Sequence, residues 1–122
     1  MDLVVKGRGV RVTDQVRRSA EHGAEKLARL EPRAIRLEIE VGSERSPRLD
    51  GIKHLDGILE APRRTFRASA SAPDVTTALE QVLNKLDRQV RDHLDRRKKR
   101  VHARTDRLKS SPIGPEEDTG GG

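Results

Sequence analysis

From Ile35 to Val41 every second residue is apolar: Ile35, Leu37, Ile39 and Val41 alternate with Arg36, Glu38 and Glu40. Successive side chains of a strand point to opposite faces, so this run specifies a strand with one dry and one wet face. A sheet with one dry face needs a cover on that side, and the flanking sequence supplies it. Val16, Ala20, Ala24 and Leu27 recur at helical spacing, with Leu30 beside them. Thr13 is placed to cap that helix, Asp14 favours its dipole and Glu31-Pro32 ends it. Gly23 weakens it by about 1 kcal/mol relative to Ala.

The remaining elements follow from the same rules. Residues 2–6 (Asp-Leu-Val-Val-Lys) form a short β-rich run, and Val10 and Val12 suggest that the strand resumes briefly. Residues 42–51 read as a mobile loop. Leu55, Gly57, Leu59 and Ala61, then Phe66, Ala68 and Ala70, alternate with polar residues on either side of Pro62-Arg63-Arg64, which predicts an antiparallel hairpin. Asp74 caps a long second helix whose stripe is Val75, Leu79, Val82, Leu83, Leu86, Val90 and Leu94. Beyond Leu94 the stripe fades, and 101–109 reads as a basic helix extension. Residues 110–122, acidic and glycine-rich, read as a disordered tail. The order β-α-β-β-β-α predicts an α+β domain over residues 1–100, a four-stranded sheet with two helices packed on one face. Its opening strand–helix–strand is a right-handed crossover if those strands are parallel neighbours.

Charge narrows the function. Lys and Arg number 26 against 20 Asp and Glu in 122 residues. The sequence pI near 10.3 points to a polyanionic partner. The surplus is densest late in the chain: 96–109 holds eight bases and one acid, Asp106. Such a block repels itself unless a polyanion neutralises it. No apolar run approaches the roughly 20 residues of a membrane helix, and Met1–Lys6 does not read as a signal peptide. The absence of cysteine excludes disulfides and thiolate chemistry, and suits a cytoplasmic protein.

Phe66 is the only aromatic residue. Single-strand RNA readers stack bases on several exposed aromatics, so any RNA binding here reads phosphates and shape. Catalytic patterns are missing. His22, His54, His93 and His102 lack metal-ligand spacing and read as solvent-facing or structural. Gly7-x-Gly9-x-x-Val12 lacks the third glycine of a dinucleotide fingerprint and reads as a strand end. No catalytic residue, metal or cofactor is expected.

With the apolar stripe of the second helix facing the sheet, Lys85, Arg88, Arg91, Arg96 and Lys99 fall on its outward half. Arg97, Lys98 and Arg100 extend that basic end. The opposing view is a solvated face tied by Asp87–Arg91, Asp92–Arg96 and Asp95–Lys99 at i,i+4, each worth a few tenths of a kcal/mol. The first helix adds Arg17, Arg18, Lys26 and Arg29. Side-by-side helices would allow Lys26 and Lys85 to join one basic surface.

Several segments together resemble the ribosome hibernation-promoting factors, also called ribosome-associated inhibitor A or protein Y. They are Met1-Asp2-Leu3-Val4-Val5-Lys6-Gly7, Val12-Thr13-Asp14, Arg17, Lys26-Leu27, Ala68-Ser69-Ala70, Asp74-Val75, Ala78-Leu79 and Lys85-Leu86-x-Arg88-Gln89. Their order and spacing across residues 1–100 carry the resemblance. It implies the same β-α-β-β-β-α fold. It also implies binding to ribosomal RNA of the small ribosomal subunit in the messenger and transfer RNA channel. There the family blocks translation and preserves idle ribosomes under stress. By matching, Arg17, Lys26, Lys85 and Arg88 would contact ribosomal RNA, with Arg96 and Lys98 at basic positions of the helix end. Thr76 stands where the family often has an aromatic residue, and Gly23 and Asp92 where basic residues are common. The chain resembles the short form of the family, or a long form cut inside a linker, and is expected to be a monomer off the ribosome. A general double-stranded RNA-binding module is the alternative, and an enzyme using a surface acid and a histidine a distant third.

Overall fold

Four strands and two helices follow one another as β1 (Asp2–Gly7), α1 (Asp14–Leu30), β2 (Arg36–Ser43), β3 (Lys53–Ala61), β4 (Arg64–Ala72) and α2 (Val75–Ser110). The computed structural model describes the backbone of residues 1–43 and 51–110 and the side chains of 1–42 and 51–99. The expected loop at 42–51 and tail at 110–122 lie mostly outside the described residues. The chain separates into a compact unit Met1–Val90 and a second beginning at Arg91.

The sheet order is β1-β2-β3-β4. β1 pairs parallel to β2, with Leu3 opposite Leu37 and Val5 opposite Ile39. The two later pairings are antiparallel and set Leu37, Leu59 and Phe66 in one row and Val41, Leu55 and Ala70 in another. Leu37, Ile39, Val41, Leu55, Leu59 and Phe66 are all fully buried. Each contributes on the order of 1.5–3 kcal/mol of transfer free energy. The parallel β1–β2 pair requires α1 as its crossover.

Both helices cover this one face. α1 buries Val16, Ala20, Gly23, Ala24 and Leu27. The first half of α2 buries Ala78, Leu79, Val82, Leu86 and Val90. The helix seats closely on β3 because Gly57 has no side chain: a Cβ there would lie 2.5 Å from Val82 Cγ1 and 3.3 Å from both Ile39 Cδ1 and Leu86 Cδ1. Gly23 does the same between the helices, where a Cβ would lie 2.5 Å from Leu83 Cδ1. The caps form as the residues require. Thr13 Oγ1 accepts from the Val16 N–H at 3.2 Å, and Asp74 Oδ1 from the Thr77 N–H at 2.8 Å. α1 ends with Glu31 N–H donating to the Leu27 carbonyl at 2.8 Å.

Two expectations about the strands are corrected. Residues 8–10 form a bend and 11–13 are irregular, so Val10 and Val12 do not extend β1. Ile35 shares the parity of Leu37 but precedes β2, in the α1–β2 connection, and is 53% exposed.

Candidate nucleic-acid interface

The cations proposed for RNA contact sit in different surroundings. In the first unit, Arg17 and Lys26 are exposed on α1, and Lys85 and Arg88 on α2. Gly23 brings the helices close, and a groove of about 610 Å³ runs between them. Its α1 wall includes Arg18, His22 and Lys26, and its α2 wall Glu80, Asn84 and Asp87. The groove is therefore basic on one side and acidic on the other.

Lys85 does not join Lys26. Its ammonium donates to the Ser69 carbonyl of β4 at 2.6 Å, and Gln89 Nε2 donates to the Arg67 carbonyl at 2.7 Å. The two-residue turn between Ala61 and Arg64 makes those residues the closing pair. In an antiparallel ladder the residues then alternate, so Arg67 and Ser69 turn their carbonyls to the outer edge of β4. Lys85 and Gln89, one helical turn apart, reach over α2 to occupy two successive edge acceptors. Lys26 and Lys85 thus lie on opposite flanks of α2, and the single basic surface entertained from the sequence is not assembled from this pair. The sequence places Lys85 on α2 but does not say which strand lies beneath it.

The second unit contains Arg91 and the basic end. Arg91, Arg96, Arg97, Lys98 and Lys99 are exposed, and Arg100 lies in the same helix. Among the described residues neither Asp92–Arg96 nor Asp95–Lys99 closes to an ion pair, although the i,i+4 spacing allows both. Arg96 and Lys99 therefore keep their charge available to a partner.

The uncovered face of the sheet is a mixed-charge lattice. Lys6 pairs with Glu38 at 3.1 Å, Arg36 with Glu38 at 3.3 Å and Arg8 with Glu40 at 3.8 Å. The Lys6 hydrogen bond and charge, followed by Arg36, hold the Glu38 carboxyl below its usual range. His54 bridges strands here: Nδ1 lies 2.8 Å from Ser71 Oγ and Nε2 3.2 Å from Asp56 Oδ1. Sequence reading missed this constellation, because only the β3–β4 register brings Ser71 beside His54. Acids and bases are matched on this face, which gives it no net attraction for phosphate. No group of His, Asp and Glu among the described residues could hold a metal ion. No described helix is long and apolar enough to cross a membrane.

The fold has known counterparts. A ribosomal subunit interface protein from Coxiella burnetii superposes with a TM-score of 0.63 at 20% identity, covering 78% of this chain and 99% of that one. The Thermus thermophilus Protein Y N-terminal domain gives 0.65 at 19% identity, covering 76% of this chain and 99% of that one. No curated protein sequence matches. Residues 3–98 match the family described as Sigma 54 modulation protein / S30EA ribosomal protein. That span holds β2 to β4, α1, the packed half of α2 and all of β1 but Asp2. The chain is a member of the Sigma 54 modulation protein / S30EA ribosomal protein family.

Proposed function

We propose that this protein binds the small ribosomal subunit in the messenger and transfer RNA channel and silences translation by occupancy, without chemistry of its own. The observation that carries the reading is the family match over residues 3–98. Arg96 and Lys99, which have no acid partner among the described residues, support it. Both structural counterparts are consistent, one being named a ribosomal subunit interface protein and the other Protein Y. The mechanism is competition. Lys and Arg bound to phosphate hold the folded chain where messenger and transfer RNA must lie, and each neutralised phosphate releases counterions. Arg17, Lys26, Arg88, Arg91 and Arg96–Arg100 are the proposed contacts, with Lys85 contributing if it leaves the Ser69 carbonyl. The site of action is cytoplasmic, and the free protein is a monomer.

Sedimentation with purified small subunits tests this. The protein should pellet with the subunit, and excess messenger and transfer RNA should release it. Recovery in the supernatant at low salt would overturn the reading. Equal affinity for plain duplex RNA would instead favour a general double-stranded RNA-binding module.

A further inference from the structure

The sheet has a further cationic region at one of its ends. The β2–β3 register sets Arg36 opposite Glu60, and the β3–β4 register sets Ala61 opposite Arg64. The α1–β2 connection and the β3–β4 turn therefore meet at one end of the sheet. The Ile35 N–H donates to the Glu60 carbonyl at 2.7 Å, and the Asp2 N–H to the Ile35 carbonyl at 3.0 Å, which fastens the connection there. Arg33, Arg36, Arg63 and Arg64 are all exposed at this end. Of the acids in the strands and connections that meet here, Asp2 is exposed and Glu60 half-exposed, while Glu31 is buried and accepts the Arg33 N–H at 3.0 Å.

Two features separate this cluster from a solvated rim. Arg63 holds a left-handed backbone, φ 67°. Pro62 before it fixes φ near −65°, so the pair has the pattern of a type II turn, whose third position suits Gly or Asn. A long, charged side chain there is a local cost, and strain retained at an exposed position is a pointer to use. Arg64 is also held: its guanidinium stands 5.2 Å from the centroid of the Phe66 ring. No carboxylate pairs with Arg33, Arg63 or Arg64 among the described residues. Ile35, 53% exposed, lies in the same connection and offers an apolar contact for a sugar or base.

We propose that this end of the sheet, with Arg33, Arg63, Arg64 and the exposed Ile35, is an RNA-contact surface that grips the phosphodiester backbone in addition to the cations of the helices. The proposal rests on the reading of the chain as an RNA-binding protein. Arg36 is left out of the core of the patch because Glu38 already engages it.

The test uses the full chain with Arg33, Arg63 and Arg64 changed together to Gln. Affinity for purified small subunits should fall at least tenfold. The log–log salt slope should become shallower by about 2 to 3, at about 0.7–0.9 for each phosphate no longer neutralised. Unchanged affinity and slope would overturn the proposal. If wild type itself does not bind subunits, the ribosome reading fails on its own. The patch is then judged on purified ribosomal RNA, where the same loss supports it and equal binding of both proteins refutes it. Arg63→Gly separates binding from folding. It relieves the backbone and removes the cation, so the melting temperature should equal or exceed that of wild type while affinity drops. A lower melting temperature with unchanged affinity would make Arg63 a structural residue and sink the turn's part in the patch.

Discussion

The two parts of α2 on either side of Val90 use the same residue types for different work. Up to Val90 the helix is committed to the sheet. Leu79, Val82, Leu86 and Val90 are buried, and even the cation Lys85 and the amide Gln89 are engaged by β4 carbonyls. From Arg91 on, the side chains described through Lys99 are exposed or half-exposed. Among the described residues Arg96 and Lys99 have no acid partner, although acids stand at the right spacing. A cation's position in a helix therefore does not define its role. What decides is whether a partner already engages it, as the Ser69 carbonyl engages Lys85.

The strongest way to break this contrast is to reverse charge after Val90. Changing Arg96, Arg97, Lys98 and Lys99 together to Glu should weaken subunit binding by about a hundredfold or more. Thermal stability should stay within about 0.5 kcal/mol of wild type, as for surface changes away from packed side chains. A large loss of stability would show that these side chains are structural. The converse change is Gly57→Ala. Its Cβ would lie 2.5 Å from Val82 Cγ1, and overpacking of this kind costs about 1–3 kcal/mol. Urea unfolding measures it, and a neutral result would mean that α2 can lift from β3.

Capping gives a test with a defined pH dependence. Hydrogen bonds from the Thr77 N–H and hydroxyl hold the Asp74 carboxyl below its usual range. A carboxylate whose pKa is lowered on folding stabilises the fold above the unfolded pKa, near 4, and loses that contribution as pH falls through the lower folded value. Asp74→Ala should therefore melt below wild type at pH 7, with the gap closing as the pH falls below about 4. A gap that persists at pH 2 would rule out the carboxylate as its source.

A smaller effect sharpens the distinction for Lys85. Lys85→Met removes the donor to Ser69 but keeps the apolar stem, and should cost about 1 kcal/mol or less. A stability loss with unchanged subunit affinity would assign Lys85 to the edge of β4; a binding loss at constant stability would assign it to RNA. The smallest change is expected at Gly23→Ala. The atoms nearest the added methyl are Leu83 Cδ1, Cδ2 and Cγ at 2.5, 2.9 and 3.2 Å, a flexible side chain, and Ala's helical advantage of about 1 kcal/mol offsets the crowding. A cost like that of Gly57→Ala would show that the helices cannot adjust to each other.

The fold is largely legible in the sequence because its signals are local. Period two in Ile39–Val41 and Leu55–Leu59, period 3.6 in Val16–Leu27, and the oxygens of Thr13 and Asp74 act over a few residues. Ile35 escapes this reading because alternation states a side chain's face but not how deeply it is buried. Gly23 has the sequence signature of a defect and is a contact, since its reason lies on another helix. The candidate site is less legible. Exposure of Arg17, Lys26 and Arg88 follows from the stripe, but the engagement of Lys85 depends on β4 lying on one particular flank of α2. Arg63's left-handed backbone depends on a turn whose Pro is visible and whose third residue gives no warning.

The tether of Lys85 and Gln89 to Arg67 and Ser69 also bears on self-association. A sheet grows by adding strands at a free edge, and exposed edges are the usual seeds of aggregation. Here two successive acceptors on the β4 side are already occupied by the protein's own side chains. The other edge of the sheet is β1. If RNA draws Lys85 away, the release of one edge acceptor accompanies capture of one phosphate, and crowding at the bound surface becomes coupled to the edge that guards against stacking.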